Sequence, residues 1–189
     1  LLIDIENNIK AQQSAGYEHW AKIHNLKQAA KTMNFLTENN IKQYEDLIEK
    51  IDGLILDSEQ TADSLKQAEK KLSDMAVLIK NISTYQKTKD IYRGYIKAKD
   101  KEAYRRKYES NLILYEAATK ALKDAGIKKL PKLTDLQKEY AALQKKKDAI
   151  YSDYGKLKNK VKEYQRIKQN VDKILQRENT GREHTKTIE

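Results

Sequence analysis

Between Tyr44 and Ile82 a seven-residue repeat runs through Tyr44, Leu47, Ile51, Leu54, Ser58, Thr61, Leu65, Ala68, Leu72, Met75, Ile79 and Ile82. Spacing of three and four places these positions on one helical seam. A second run of nearly equal length goes through Leu136, Tyr140, Leu143, Lys147, Ile150, Tyr154, Leu157, Val161, Tyr164, Lys168, Val171 and Ile174. Two matched seams in one chain predict an antiparallel helical hairpin in which partner numbers sum to about 218, so that Ala68 faces Ile150, Thr61 faces Leu157 and Ser58 faces Val161. Small residues then oppose large ones. At a rise of about 1.5 Å per residue such arms make a rod on the order of 60 Å long.

The flanking patterns predict what the arms carry. Leu1, Leu2, Ile5 and Ile9 share a helical face, which predicts a short first helix ending near Ser14-Ala15-Gly16. A second apolar stripe, Tyr17, Trp20, Ala21, Ile23, Leu26, Ala29, Ala30, Met33, Phe35 and Leu36, ends at Asn39-Asn40. It predicts a helical foot over 1–41, its aromatics packed on the open end of the hairpin around Tyr44, Leu47, Val171 and Leu175. The heptad register is lost near Ile82, and Ser83-Thr84-Tyr85-Gln86 reads as a capping box that predicts a break there. A helix to Ala98, an N-cap at Asp100, a helix to Ala125 and a glycine C-cap at Gly126 with Ile127 beside it then make 83–133 a helical cap. Thr134 with Gln137 is the predicted cap of the returning arm, so the arms are 42–82 and 134–176. The aperiodic 177–189 predicts a disordered tail.

Composition agrees with an all-α chain of long helices. Of 189 residues 35% are charged and 39% hydrophobic, with one Pro and six Gly. The absence of Cys excludes disulfides and thiolate metal sites, and the cytosol is the expected compartment. No apolar run approaches the roughly twenty residues of a membrane span. The chain starts at Leu1, inside an amphipathic pattern, which predicts a piece of a longer protein.

Charge is unevenly placed. The arm 42–80 has net charge −3 and the arm 134–176 net +5, so the arms attract, while 81–132 holds fourteen basic and six acidic side chains, net +8. Arg93, Lys97, Lys99, Lys101, Arg105, Arg106 and Lys107 cluster around one turn and Lys128, Lys129 and Lys132 around the next, interleaved with Tyr92, Tyr95, Tyr104 and Tyr108. Cations on phosphates release counterions and tyrosines stack on unpaired bases, so these residues are the candidate contacts to DNA, single-stranded and read without sequence preference. The competing reading is a solvated lysine face over tyrosines that pack a core, on an architectural or protein-binding coiled coil. Lys147 and Lys168 within the seam make its pairing selective without deciding between the two.

Catalytic patterns are missing from the sequence. His19 and His24 are five apart, off the four-residue spacing of helical metal ligands, and His184 stands alone. No glycine-rich phosphate loop and no nucleophile with a base partner is found, so neither catalysis nor a cofactor, metal or small-molecule substrate is expected.

The stretch GYEHWAKIHNLKQAAKTMNFLTENNI from Gly16 to Ile41, followed by Tyr44-Glu45-Asp46-Leu47, resembles the C-terminal helical region of relaxases, the mobilisation nucleases of conjugative and mobilisable elements of Gram-positive bacteria. KKLPKLTDLQKEYAAL, from Lys128 to Leu143, is similar to the same region. Relaxases nick one strand at a transfer origin with an N-terminal tyrosine and a histidine-bound metal. None of that motif maps onto this chain, so the resemblance implies only an accessory region in the bacterial cytoplasm, with DNA, conjugation proteins or both as partners.

Overall fold

The computed structural model describes the backbone of residues 1–186 and the side chains of residues 1–176. Among them the secondary structure is entirely helical: α1 (Ile9–Gln13), α2 (Ala15–Glu38), α3 (Tyr44–Lys97), α4 (Lys101–Asp124) and α5 (Leu133–Lys186). The chain forms two compact units, 1–61 with 153–189, and 62–152. The long helices α3 and α5 contribute to both.

In the first unit the start of α3 packs against α5. Leu47, Ile51, Leu54, Tyr164 and Ile167 are buried together, with Phe35, Leu36, Ile41, Leu157, Val161 and Val171 around them. The Tyr44 hydroxyl donates to Asp172 at 2.6 Å, and Lys168 Nζ reaches the other carboxylate oxygen at 2.8 Å while lying 5.6 Å from the Tyr44 ring. The seam lysine is thereby neutralised by a carboxylate one turn on. In the second unit Leu65, Ala68 and Leu72 are buried, and Ile82, Leu136 and Leu122 make a core with Met75, Ile79 and Leu133. Lys147, held to Asp148 at 3.1 Å, also feels the charge of Glu69 on α3. Tyr44 with Asp172 sums to 216, close to the predicted antiparallel register, and every predicted seam position is at least partly buried.

Two helix ends use the same device. Asn40 (φ 54°) and Gly126 (φ 70°) take the left-handed conformation that ends a helix, and the following Ile41 and Ile127 donate their N–H groups back to Leu36 at 2.8 Å and Leu122 at 3.1 Å. Both isoleucines pack on the neighbouring core, the apolar contact that accompanies such caps. Asp100 caps α4, accepting from the Ala103 N–H at 2.9 Å.

Several expectations are corrected. Residues 1–8 are not helical, and α1 begins only at Ile9, capped by Asn8. The segment is held by side-chain amides that imitate strand pairing: Asn25 Oδ1 accepts from Ile3 N–H at 2.7 Å and Asn25 Nδ2 donates to Ile3 O at 2.8 Å. Asn170 Oδ1 accepts from Leu2 N–H at 3.0 Å, its Nδ2 donates to Thr32 Oγ1, and Lys173 caps Leu2 O at 2.7 Å. These bonds satisfy a non-helical backbone as a helix would, and Leu2 is buried.

The foot aromatics are also placed differently. The inward face of α2 is Ala21, Asn25 and Thr32, continued by Phe35 and Leu36, so Trp20, Ile23, Leu26 and Met33 turn outward and are exposed. Polar groups needed for the backbone of residues 1–3 displaced the apolar face from the interior. Of the predicted foot residues Phe35 and Leu36 pack on the hairpin, in the cluster that holds the predicted positions Leu47 and Val171, whereas Leu175 is exposed.

α3 runs unbroken through residues 83–86. The register changes there because the helix changes partner, from α5 before Ile82 to α4 after it, as the stacking of Tyr85 and Tyr92 on Tyr115 shows. Thr84 keeps helical bonding and its carbonyl accepts from Thr88 Oγ1 at 2.7 Å. α5 starts at Leu133, which packs on the Ile82 core, so Thr134 lies within the first turn, where Lys132 O accepts from Asp135 and Leu136. At the other end α5 extends to Lys186, past the predicted stop at Gln176. Arg177, Glu178, Arg182 and Glu183 favour helix, and the lone Gly181 costs only about 1 kcal/mol. Positions 187–189 lie outside the described residues.

Two outcomes follow from this packing. Asn170→Ala leaves the Leu2 N–H without its buried acceptor and lowers unfolding stability by about 1–3 kcal/mol in urea titration, whereas Trp20→Ala shifts it by no more than about 0.5 kcal/mol. Burial opposes ionisation of Asp172, yet hydrogen bonds from Lys168 and Tyr44 outweigh it and hold the carboxyl below its ordinary value. The stabilisation is complete above the unfolded carboxylate value, about pH 4, and is lost as pH falls through the folded one. Asp172→Asn therefore weakens the dependence of melting temperature on pH at the acid end, measured by thermal unfolding against pH.

Candidate nucleic-acid interface

The site begins with a helix reversal in the second unit. α3 ends at Lys97, Ala98 and Lys99 turn, Asp100 caps, and α4 returns antiparallel, so that Tyr85 and Tyr92 near the end of α3 meet Tyr115 well along α4. Tyr104, Tyr108 and Tyr115 recur at helical spacing on α4, and Tyr85 and Tyr92 are one heptad apart on α3.

The rings connect into one ladder. Centroid separations are 5.4 Å for Tyr85–Tyr115, 4.1 Å for Tyr115–Tyr92, 6.3 Å for Tyr92–Tyr95, 6.4 Å for Tyr95–Tyr104 and 4.6 Å for Tyr104–Tyr108. All six are half-buried, and burial raises the Tyr115 phenol above its ordinary value. The Tyr92 ring is stacked on Tyr115 and inclined toward Tyr95, so its area holds the two helices together. α4 bends at Tyr108, whose backbone (φ −120°, ψ 24°) leaves the helical region. Gly94 lets the two helices approach: a Cβ there would lie 3.1 Å from Tyr104 Cζ and closer still to its hydroxyl.

Outside this ladder lie the cations. Arg93, Lys97, Lys99, Lys101, Arg105, Arg106 and Lys107 are all exposed around the reversal. Arg93 pairs with Asp90 at 3.3 Å and Arg106 with Glu102 at 3.4 Å, both hydrated pairs that water and salt screen. Lys107 Nζ stands 5.3 Å above the Tyr108 ring. Residues 93–107 hold these seven cations against Asp100 and Glu102 alone, a local excess of five.

Lys128, Lys129 and Lys132 are exposed at the opposite end of α4. From Lys107, on the first turns of α4, the helix runs on to Asp124, roughly 25 Å at its rise per residue, before the chain reaches Lys128. The structure thus divides the predicted basic tip into two patches, since adjacency of loops in sequence hides the length of the helix between them. Tyr85, Tyr115 and Gly94 were not among the predicted site residues. The heptad spacing of the tyrosines on each helix, with one glycine inside a tyrosine-rich helix, was the available signal.

Elsewhere the chemistry is sparse. A groove of about 680 Å³ in the second unit has Met75, Leu136, Ala142 and Leu143 on its floor and Lys71, Asp74, Glu139 and Lys146 on its rim, with no nucleophile beside a base. His24 Nε2 is 3.1 Å from the Leu1 carbonyl and its ring stacks on Trp20. Among the described residues no three His, Asp or Glu side chains converge as metal ligands, and no helix is long and apolar enough to cross a membrane. Comparison with known proteins finds no matching family model, curated protein or solved structure.

Glycine replacements separate the close approach at Gly94 from ordinary helix propensity. Gly53 and Gly155 have open space where a Cβ would go, so Gly53→Ala and Gly155→Ala each raise stability, by up to about 1 kcal/mol. Gly94→Ala shows no such gain, and in a Tyr104→Leu background it recovers, a coupling of about 1 kcal/mol in a double-mutant cycle of melting curves.

Proposed function

We propose that this chain is a non-catalytic helical region that contacts the phosphate backbone of DNA, without reading its sequence, through the basic reversal between α3 and α4. The observation that carries the reading is the set of seven exposed cations at 93–107, on the turn and the two helix ends that the tyrosine ladder holds together. A rigid array of this kind meets a polyanion without first losing the conformational entropy of a flexible basic tail. The tyrosines act chiefly as its support, and the exposed edges of Tyr104 and Tyr108 beside Lys107 are where an unpaired base would stack.

The resemblance of residues 16–47 and 128–143 to relaxases supplies the substrate class: a DNA strand in transfer, held by an accessory region in the bacterial cytoplasm. Single-stranded DNA is the ligand this reading favours. The patch at Lys128, Lys129 and Lys132, beyond the far end of α4, serves as a weaker second contact.

The test is a salt titration of binding to unrelated single-stranded and duplex oligonucleotides. Charge reversal at Lys101, Arg105, Arg106 and Lys107 weakens binding equally for all sequences and lowers the slope of log affinity against log salt by close to one for each phosphate no longer neutralised. Reversal at Lys145 and Lys156, on α5, changes it little. If the chain shows no salt-dependent DNA binding near 50 mM salt, where nonspecific association is strong, the cations are a solvated face and the reading fails.

A further inference from the structure

α2 has two apolar-bearing faces and the fold of the first unit covers one. Opposite the buried Ala21, Asn25 and Thr32, the exposed side chains Ile23, Leu26, Ala30 and Met33 follow a three-and-four spacing, with Trp20 one turn before Ile23. Leu26 is 72% exposed, Met33 59% and Trp20 51%. Scattered apolar residues on a surface need no explanation, but four large ones in a row on one helix face make a patch of the kind that marks an interaction site. Ala30 between Leu26 and Met33 is a small exposed side chain, beside which a facing apolar residue can seat in knobs-into-holes packing. Beside the row, the Trp20 ring is stacked on His24 at 5.3 Å and tilted against Tyr17 at 5.4 Å, and the Leu1 carbonyl lies against His24, so the tryptophan is an ordered aromatic anchor.

Charge selects the occupant. Lys22 borders the row on one side and Lys27 and Lys31 on the other, and no carboxylate falls between Glu18, which pairs with Lys22, and Glu38. A second copy laid face to face would bring lysines against lysines, which is unfavourable in either direction. We infer that the outer face of α2 is a docking site for an amphipathic helix of a partner protein whose apolar row is flanked by Asp or Glu. This is the helix-against-apolar-face mode, with Trp20, Ile23, Leu26 and Met33 as anchors and the lysines setting charge specificity. It is independent of the DNA reading, which rests on the second unit.

The experiment uses the full chain and two synthetic helical peptides of the same leucine heptad, one with Glu flanking the row and one with Lys. Trp20 is the sole tryptophan, so its emission reports directly on this face. The expected result is a blue shift on adding the Glu peptide, affinity at least tenfold above that for the Lys peptide, and a drop of at least tenfold in Leu26→Gln and Met33→Gln. Both positions are exposed, so circular dichroism of these variants stays unchanged. No binding of the Glu peptide, or binding that the two substitutions leave intact, overturns the inference. So does concentration-dependent self-association that Leu26→Gln abolishes, which would make the occupant a second copy, or a blue shift with anionic phosphatidylglycerol vesicles and none with the Glu peptide, which would make the face a membrane contact.

Discussion

Everything in this chain hangs on the antiparallel packing of α3 against α5. A helix of 54 residues with so few apolar positions has no interior of its own, and either helix alone would expose its single apolar row to water. Pairing covers both rows. In the first unit the pairing centres on Leu47, Ile51, Leu54, Tyr164 and Ile167, and in the second on Ile82 and Leu136 with Leu65, Ala68 and Leu72 buried along α3. Lysines admitted into the row are compensated locally, Lys168 by Asp172 and Tyr44, and Lys147 by Asp148, so the seam carries charge without leaving it unpaired.

The additions to this pair follow from which face remains to be covered. Past Ile82 α3 turns its apolar side to α4, where Leu112 and Leu122 of α4 are buried and the tyrosines of the ladder are half-buried. Stacked phenols give area and rigidity while their hydroxyl edges remain compatible with a wet, cationic surface. In the first unit the segment 1–3 is secured by Asn25 and Asn170, and the polar groups this requires on the inner face of α2 leave its large apolar residues outside. One local hydrogen-bonding need thus decides which face of α2 is free.

Periodicity made the long elements legible. The heptads of both arms, their direction and their register within about two residues were readable because a single buried row over many turns admits one arrangement. The caps at Asp100 and Gly126 were readable because one side chain or one φ decides them. What stayed hidden depended on interactions made at a distance. The loss of register near Ile82 has the same appearance for a helix break and for a change of partner, and only the tyrosines of α4 distinguish them. The apolar row of α2 reads as a core face until the polar Asn25 and Thr32 are known to have buried partners. Of the candidate site, the concentration of cations was legible, but Tyr85, Tyr115 and Gly94 and the grouping of the cations were not, because Lys128 and Lys107 are brought near or held apart by the path of α4.

Antiparallel pairing within one chain is the claim on which both proposed surfaces rest, since it orders the helices that display them. The most direct measurement places spin labels at Lys71→Cys and Lys146→Cys, which rim the same groove of the second unit, in a chain that has no cysteine of its own. Neighbouring helix axes lie about 8–10 Å apart, so a single short distance is predicted. It must persist unchanged when the labelled chain is diluted into excess unlabelled chain under conditions that allow exchange. A long or broad distance, or a short one that vanishes on dilution, would mean that α3 and α5 pair between chains or not at all, and would contradict the account.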